Sequence, residues 1–415
     1  MDRISSNLPS DNMIYYLQQR QERMLNTQNQ IASQSKIQEL RDDPIAAAHA
    51  TRHQSFLSRL QRFSTNIERV KSEYETAEGY IYQAVDNLQR AREIAVQGAN
   101  GTYTEGDMQK MAMEVDQILN EMVRLANSQD GTGRSIFSGT RSAVSPFRTV
   151  MGIVDGKEKS MITNVDYVGT IGTREAEIGE QTFIEANLPG NEVFWAESQA
   201  IFAEVDAGGY QVDQDSSIFV DGEEVRLTRG DTAQTIIAKI NDSAAAVRAR
   251  LDPVENGMVI ESTTPHQIWL RDGENSTVLE DLGLIASRDA PPPQNIAPGA
   301  RVFGGSAFDM LIDLRDRLLE GNSEDVGGSA LRGVDNALDN MLSSLGKVGA
   351  RTARLEAAYE RTETEIPDQM ARVSMEKDID LAEAITDLRR LEQTHQAALG
   401  VTGRIIQPTL LDFLR

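Results

Sequence analysis

Between residues 56 and 95 the apolar residues fall alternately four and three apart: Phe56, Leu60, Phe63, Ile67, Val70, Tyr74, Ala77, Ile81, Ala84, Leu88, Ala91 and Ala95. A period of 3.5 is the seam of helices packed side by side. At 1.5 Å per residue this helix is about 60 Å long. A helix of that length cannot bury its own stripe, so the chain must supply partners. It does so near its other end, where Val334, Leu338, Met341, Leu345, Val348, Thr352, Leu355, Tyr359, Thr362 and Ile366 repeat the spacing. Met108, Met111, Val115, Ile118, Met122 and Leu125 mark a shorter helix between them.

The middle of the chain breaks this rhythm. "SIFVDGEEVRLTR" reads as two strands about the Asp221-Gly222 hairpin turn. Thr232 then caps a helix expected to carry Ile236, Ile237, Ile240, Val247 and Leu251 on one face. "GMVIES" and "QIWLRDG" read as further strands, and "APPPQNIAPG" as a stiff closing linker. Residues 142–300 hold 26 acidic and 11 basic side chains, so most of the formal net charge of −23 lies in this stretch.

The two ends carry weaker patterns. Leu17, Met24 and Ile31 repeat every seven residues, but the intervening seam positions Ile14, Gln21, Gln28 and Ser35 are mostly polar. Leu381, Ile385, Leu388, Leu391 and Leu399 line the last helix. Half a seam is too weak to hold a helix unaided, so the ends are expected to complete one another or a neighbour. In "RDDPIAAAHATRH" Asp43 is a good N-cap and Pro44 a favoured first helical residue. Pro44 also denies a backbone donor to a helix arriving from upstream. Pro367, just past the second seam, is expected to mark the same boundary on the return.

The expected fold class is therefore α+β and multidomain: a long antiparallel helical bundle or coiled coil built from both chain ends, with an inserted β-rich domain. Residues 1–40 and 367–415 form the terminal coiled-coil domain, 41–141 and 301–366 the helical body, and 142–300 the outer insertion.

The chemistry-bearing residues point away from catalysis. There is no Cys, which removes thiolate nucleophiles, thiolate metal sites and disulfides. The acidic balance disfavours nucleic acid. No apolar run approaches a membrane span, and "MDRISSNLPSDNMIYYLQQRQ" lacks the apolar core of a signal peptide. His49 and His53 have a metal-compatible i, i+4 spacing, but no HExxH accompanies them, and a solvated helix face is the plainer reading. Asp213, Asp215, Ser217, Asp221 and Glu224 fall at calcium-loop positions, yet Ile218 stands where the loop needs Gly. The acid pairs Glu363 with Glu365 and Glu223 with Glu224 read as solvated surface. No nucleophile, phosphate-binding or dinucleotide motif occurs. No enzyme, cofactor or metal is expected.

Several stretches resemble the flagellin superfamily, in its hook-associated branch. They are "LRDDPIAAAHA", "LANSQDGTGRSIFSGTRSAVSPF", "VDYVGTIGTREAEIGEQTFIEANLPGNEVF", "LGKVGARTARLEAAYER" and "DIDLAEAITDLRRLEQTHQAALGVTGRIIQPTLLDFLR". Residues 218–285 are also similar to a β-rich repeat of flagellins and other junction proteins. The stretches cover nearly the whole chain in order. The resemblance implies a structural protein of the bacterial flagellum, in the layer between hook and filament. It implies an axial ring of about eleven copies with the terminal helices at the centre. It implies the other hook-associated protein as neighbour on the hook side, flagellin on the filament side, and type III export with a chaperone on the C-terminal segment. The place would be secreted, extracellular or periplasmic according to where the flagella lie. The competing readings are a filament-forming flagellin, and a secreted adhesin or an enzyme carried on residues 142–300.

The seam makes a direct prediction. Leu60→Asp places an unpaired charge in it and lowers the unfolding free energy by about 3–5 kcal/mol. Gln61→Asp, one position off the seam, changes little. Equal denaturation midpoints for Leu60→Asp and wild type would remove the seam.

Overall fold

The computed structural model describes residues 8–39, 41–153 and 160–405. Parts of the expected terminal domain (1–7, 40 and 406–415) and of the β-rich insertion (154–159) lie outside the described residues. In chain order the elements are helices α1 (Leu8–Ser33), α2 (Pro44–Ala99) and α3 (Glu105–Ala126), then strands β1 (Phe147–Ile153), β2 (Ser160–Tyr167), β3 (Glu175–Gly179) and β4 (Thr182–Glu185). There follow α4 (Gly190–Val193), β5 (Ala200–Asp206), β6 (Ser216–Val220), β7 (Glu223–Leu227), α5 (Ala233–Asn241), β8 (Val247–Leu251), β9 (Gly257–Ser262) and β10 (Leu270–Asp272). The chain closes with α6 (Val278–Asp281), β11 (Arg301–Phe303), α7 (Ala307–Glu320), α8 (Ser323–Asp325), a π-turn (Val326–Ala330), α9 (Leu331–Lys377) and α10 (Leu381–Ile405). The fold is α+β, with long helices toward both ends and small antiparallel sheets between them. Two compact units divide it: Met1–Thr65 with Tyr359–Arg415, and Asn66–Ala358.

In the larger unit the remainder of α2 and the first part of α9 run antiparallel. Lys71 Nζ lies 2.8 Å from Glu356 and Arg92 Nε 2.5 Å from Asp335. The expected seam positions from Ile67 to Ala95 are all buried. On α9, Val334, Met341, Leu345, Val348 and Leu355 are buried, while Leu338 and Thr352 are half-buried. α3 starts at Thr104, whose hydroxyl accepts from the Asp107 amide, and buries Ala112 and Leu119 as well as the expected stripe. Met111 is only half-buried.

α7, packed along α3, was missed in the sequence reading, although Phe308, Leu311, Leu314 and Leu318 fall three or four apart and its ends are well signalled. Ser306 and Asp309 form a reciprocal capping box, and Gly321 ends the helix in the left-handed region at φ 73°. α7 also carries Arg315, whose side chain is fully buried. Its Nη1 donates to Asp116 Oδ1 at 3.1 Å and to the Ile162 carbonyl at 2.8 Å, and its Nε donates to Asp316 Oδ1 at 2.8 Å. One guanidinium thus ties α7 to α3 and β2.

The β-rich region confirms the hairpin at Asp221-Gly222, with φ of 50° and 86° at the two turn residues. That double positive φ is the conformation whose twist suits a two-residue hairpin. β6 and β7 continue into β10, and β11, β5, β9 and β8 make a second sheet. A separate core of Ile201, Ile218, Val220, Ile236, Ile240, Ile260, Leu270 and Leu279 lies between sheets and helices.

Three expectations are corrected here. The helix capped by Thr232 ends at Asn241, and Val247 and Leu251 belong to β8. Asn241 terminates it by pairing with the strand: Oδ1 accepts from Ala249 N at 2.7 Å and Nδ2 donates to Ala249 O at 3.0 Å. "QIWLRDG" supplies a strand only at Leu270–Asp272. Residues 290–299 are not a free linker, because Asn295 is fully buried and bonds the Leu270 carbonyl at 2.8 Å. Beyond them β11 pairs with β5 as far as Phe303.

In the smaller unit α1 and α10 run antiparallel, with Arg20 Nη1 donating to Thr394 O at 3.2 Å. α2 opens as expected at Pro44, and Asp43 Oδ1 accepts from Ile45 N at 3.1 Å and Ala46 N at 2.9 Å. Leu60 and Phe63 are buried here, whereas Phe56 is half-buried and its neighbour Leu57 takes the inward place. Of the return seam, Thr362 is buried, and Tyr359 and Ile366 are half-buried. Pro367, expected as a boundary mark, lies inside α9, which passes through it to Lys377. Proline in a helix interior costs about 3 kcal/mol through the lost donor and the ring clash. The affected carbonyl belongs to Glu363, an exposed residue where water can take the donor's place.

Removing Arg315 strands the partners it holds. Arg315→Ala should lower the stability of the larger unit by about 3 kcal/mol, at the lower end of the range for broken buried pairs because Asp116 and Asp316 keep some access to water. Arg315→Lys should recover only part of the loss, because one ammonium cannot reproduce the fork. Chemical denaturation of the two variants checks both statements.

Candidate assembly surface

The sequence-expected terminal residues come together in the smaller unit, but not all of them face inward. On α1, Leu17, Met24 and Ile31 form a half-buried stripe with Met13 and Thr27. On α10 the inward positions are Ala384, Leu388, Leu391, His395 and Ala398, spaced three and four apart. Leu381, Ile385 and Leu399 lie on the adjoining flank and remain 41%, 42% and 50% exposed. The geometry follows from helix rotation at 3.6 residues per turn: position 399 returns to the angle of 381 after five turns, with 385 beside them. The apolar arc of α10 is wider than one α1 helix covers. α1 is likewise uncovered at Ile14, Tyr15, Tyr16 and Leu25. Large apolar side chains are thus left exposed on both helices of the pair.

The helix pair is anchored at one end by backbone pairing between segments distant in sequence. Lys36 N donates to Lys377 O at 2.8 Å and Ile379 N to Gln34 O at 3.3 Å. Gln34 adopts φ 55° and ends α1, and Ser35, almost fully buried, bonds the Ile37 carbonyl at 2.7 Å. Asp380 Oδ1 then caps α10 through Ala382 N at 2.9 Å and Glu383 N at 3.2 Å. Sequence reading missed this joint, because backbone pairing leaves no side-chain pattern.

Other candidates take structural places. His53 Nδ1 lies 3.2 Å from Gln369 Oε1, and His49 is exposed. Of the calcium-loop residues, Ser217 lies in β6, Glu224 in β7 beside Arg226 at 3.1 Å, and Asp221 in the hairpin turn. Glu363 accepts from Ser64 Oγ at 3.3 Å. Among the described residues no three His, Cys, Asp or Glu side chains gather as metal ligands would.

In the larger unit, "SQDGTGRS" folds about Asp130. Its Oδ1 accepts from Thr132 N at 2.8 Å, Thr132 Oγ1 at 2.6 Å and Arg134 N at 2.9 Å. The hydrogen bond from the Thr132 hydroxyl leads the causes that hold this carboxyl well below the usual range, against the desolvation that opposes it. Glu73 bridges Arg134 at 3.4 Å and Arg174 at 3.1 Å. Asn340 of α9 donates to the Glu192 and Trp195 carbonyls, each at 2.7 Å, fixing the segment from which β5 departs. These groups position the insertion on the helices.

Residues 4–142 match the model of the bacterial flagellin N-terminal helical region. The chain is 30% identical over 151 residues to "Flagellar hook-associated protein 3" of Salmonella typhimurium, covering 36% of this chain and 48% of that protein. It is 26% identical over 241 residues to a flagellin of Salmonella berta, covering 56% of this chain and 43% of the relative. It is 28% identical over 141 residues to the "Flagellar filament 30.7 kDa core protein" of Treponema maltophilum, covering 34% and 49%. The chain spans about half the length of the curated relatives it matches. Among solved structures it is similar to Xanthomonas campestris FlgL, at 20% identity over 78% of this chain and 99% of that one with a TM-score of 0.46. It is similar also to the flagellar hook-associated protein 3 of Legionella pneumophila, at 19% identity over 78% and 97% with a TM-score of 0.45. The flagellin-superfamily resemblance read from the sequence is thereby borne out.

The two flanks of α10 respond differently to the same change. Leu391→Ser removes an inward contact and should speed amide exchange across residues 385–399. Leu399→Ser, on the open flank, should leave exchange and melting within about 0.5 kcal/mol of wild type, as surface changes do. Equal effects from both would mean that the flank is already covered.

Proposed function

We propose that this chain, which carries a flagellin-type N-terminal helical region over residues 4–142, is a structural protein of the bacterial flagellum that forms the junction layer between hook and filament. One observation carries the reading: α1 and α10 pair with each other and still leave Leu381, Ile385 and Leu399 uncovered in a lone subunit. Burial of a Leu or Ile side chain is worth about 1.5–3 kcal/mol, so neighbours that cover this flank gain substantially. The similarity to "Flagellar hook-associated protein 3" supports the junction reading over the other places a flagellin-like subunit occupies.

In this reading the terminal helices associate in an axial ring of about eleven copies, a number that rests on the family resemblance. The other hook-associated protein lies on the hook side and flagellin on the filament side. A type III export chaperone covers the same α10 flank beforehand, and the protein works outside the cell body or in the periplasm. Its role is structural rather than catalytic, with self-association, not nucleic acid or membrane, as its business. Among the described residues no helix is long and apolar enough to cross a membrane. The boundaries Asp43, Pro44 and Pro367 and the three-domain division remain part of this proposal.

A filament-forming flagellin is the second reading, favoured by the 56% of the chain that aligns with the Salmonella berta flagellin. Purified protein added to hooks separates the two. The junction reading expects a single bound layer that then permits flagellin to polymerise, and Ile385→Asp with Leu399→Asp should abolish that layer. Long filaments grown from this protein alone would reverse the order.

A further inference from the structure

His266 is buried in the larger unit, and both of its ring nitrogens face oxygen. Nε2 lies 2.9 Å from Asp221 Oδ2, and Nδ1 lies 2.8 Å from the Thr264 carbonyl. A neutral imidazole has one N–H and can satisfy one of these acceptors; the imidazolium has two and satisfies both. Asp221 is also the first residue of the β6–β7 turn, at φ 50°. Its Oδ1 accepts from Trp269 N at 2.8 Å, and its own amide donates to the Trp269 carbonyl at 2.8 Å. The turn is therefore bound twice to residues 264–269, through backbone and through the ring.

That segment is also where the β-rich core meets the rest of its unit. Ile268 N donates to Gln199 Oε1 at 2.7 Å, Asn191 Nδ2 lies 3.5 Å from the Gln267 carbonyl, and the Trp269 and Tyr167 rings meet edge to face at 6.4 Å. We propose that His266 is a proton-operated latch, which as imidazolium clamps the β6–β7 hairpin onto residues 264–269 and so stiffens the seat of the β-rich core, and which loosens when the ring loses its proton.

The charged groups acting on the ring are Asp221 from the hairpin turn and Glu192 from α4, both negative. Burial opposes the charge, but the hydrogen bond and charge of Asp221, aided by the Thr264 carbonyl and Glu192, outweigh it and raise the pKa above its ordinary value. A raised folded-state pKa means that the contribution to stability is complete below the unfolded value of about 6.5 and is lost as pH rises through the folded value. Thr264 Oγ1, 3.2 Å from Nδ1, offers the neutral ring a substitute donor. Deprotonation therefore loosens the clamp rather than unfolding the region. This inference does not depend on the place of the protein in the flagellum.

The test uses the full chain. Proton NMR follows the ring resonance of His266, assigned by its absence in His266→Gln, between about pH 5 and 9. Hydrogen exchange follows the Asp221 and Trp269 amides over the same range. The expected result is a ring that titrates above about 6.5, with amide protection, corrected for intrinsic exchange, falling about tenfold across the same midpoint, as for loss of one charge-assisted hydrogen bond. Asp221→Asn should bring the midpoint down and remove the coupled fall, and Thr264→Val should deepen the fall by removing the substitute donor. A wild-type ring that titrates at or below its ordinary value would overturn the latch. So would amide protection that stays level while the ring titrates.

Discussion

Burial of one long apolar stripe sets the terms for the rest of the molecule. α2 carries a 3.5-residue seam along most of its 56 residues, and a helix that long has no neighbour of comparable length closer in sequence than α9. The chain must therefore leave the helical layer after α3 and come back for α7 and α9. Everything between is an excursion whose exit and return are held by the helices. Asn340 of α9 grips the carbonyls of Glu192 and Trp195, and Arg315 of α7 grips the carbonyl of Ile162. In both cases a polar side chain of the helical layer closes a backbone acceptor of the insertion. Apolar packing alone would fix the distance between such layers but not their register.

The terminal helices obey the same physics with less material. α1 offers Leu17, Met24 and Ile31 among polar residues, enough to half-bury Leu388 and Leu391 but not to cover α10. A stripe too wide for its one partner is costly in a lone molecule and useful in an assembly. The place of unsatisfied apolar surface and the proposed site of association are thus the same. Around it the anchoring joint at residues 34–37 and 377–380 is built from backbone hydrogen bonds, which hold whatever covers the flank.

How much was legible in the sequence depended on the range over which each signal acts. Asp221-Gly222 was readable because a two-residue turn fixes its own φ values. Asp43-Pro44 was readable because capping involves only the next three residues. Val247 and Leu251 were misread as helix because Ile, Val and Leu spacing alone cannot separate a helix that ends at Asn241 from one that continues. What ended it was a side-chain bond to Ala249 on a strand that forms only in the folded sheet. Residues 290–299 looked like a linker by composition, yet Asn295 is drawn into the core by the Leu270 carbonyl. Pro367 does not interrupt α9, although proline in a helix interior carries a local penalty of about 3 kcal/mol.

The sequence by itself determined the long helices, their antiparallel return, the presence of a strand-rich excursion and the absence of thiol chemistry. These rest on periodicity and residue type, which are properties of a local stretch. Only the tertiary structure decided which faces were satisfied and which were not. Leu391 and Leu399 are the same residue on one helix, and nothing in the sequence distinguishes the covered one from the open one. Nor does sequence show that Arg315, one arginine among many, is buried with three acceptors, or that His266 meets Asp221 from forty-five positions away. Burial and charge pairing arise from distances between segments, and those are set only when the segments have packed.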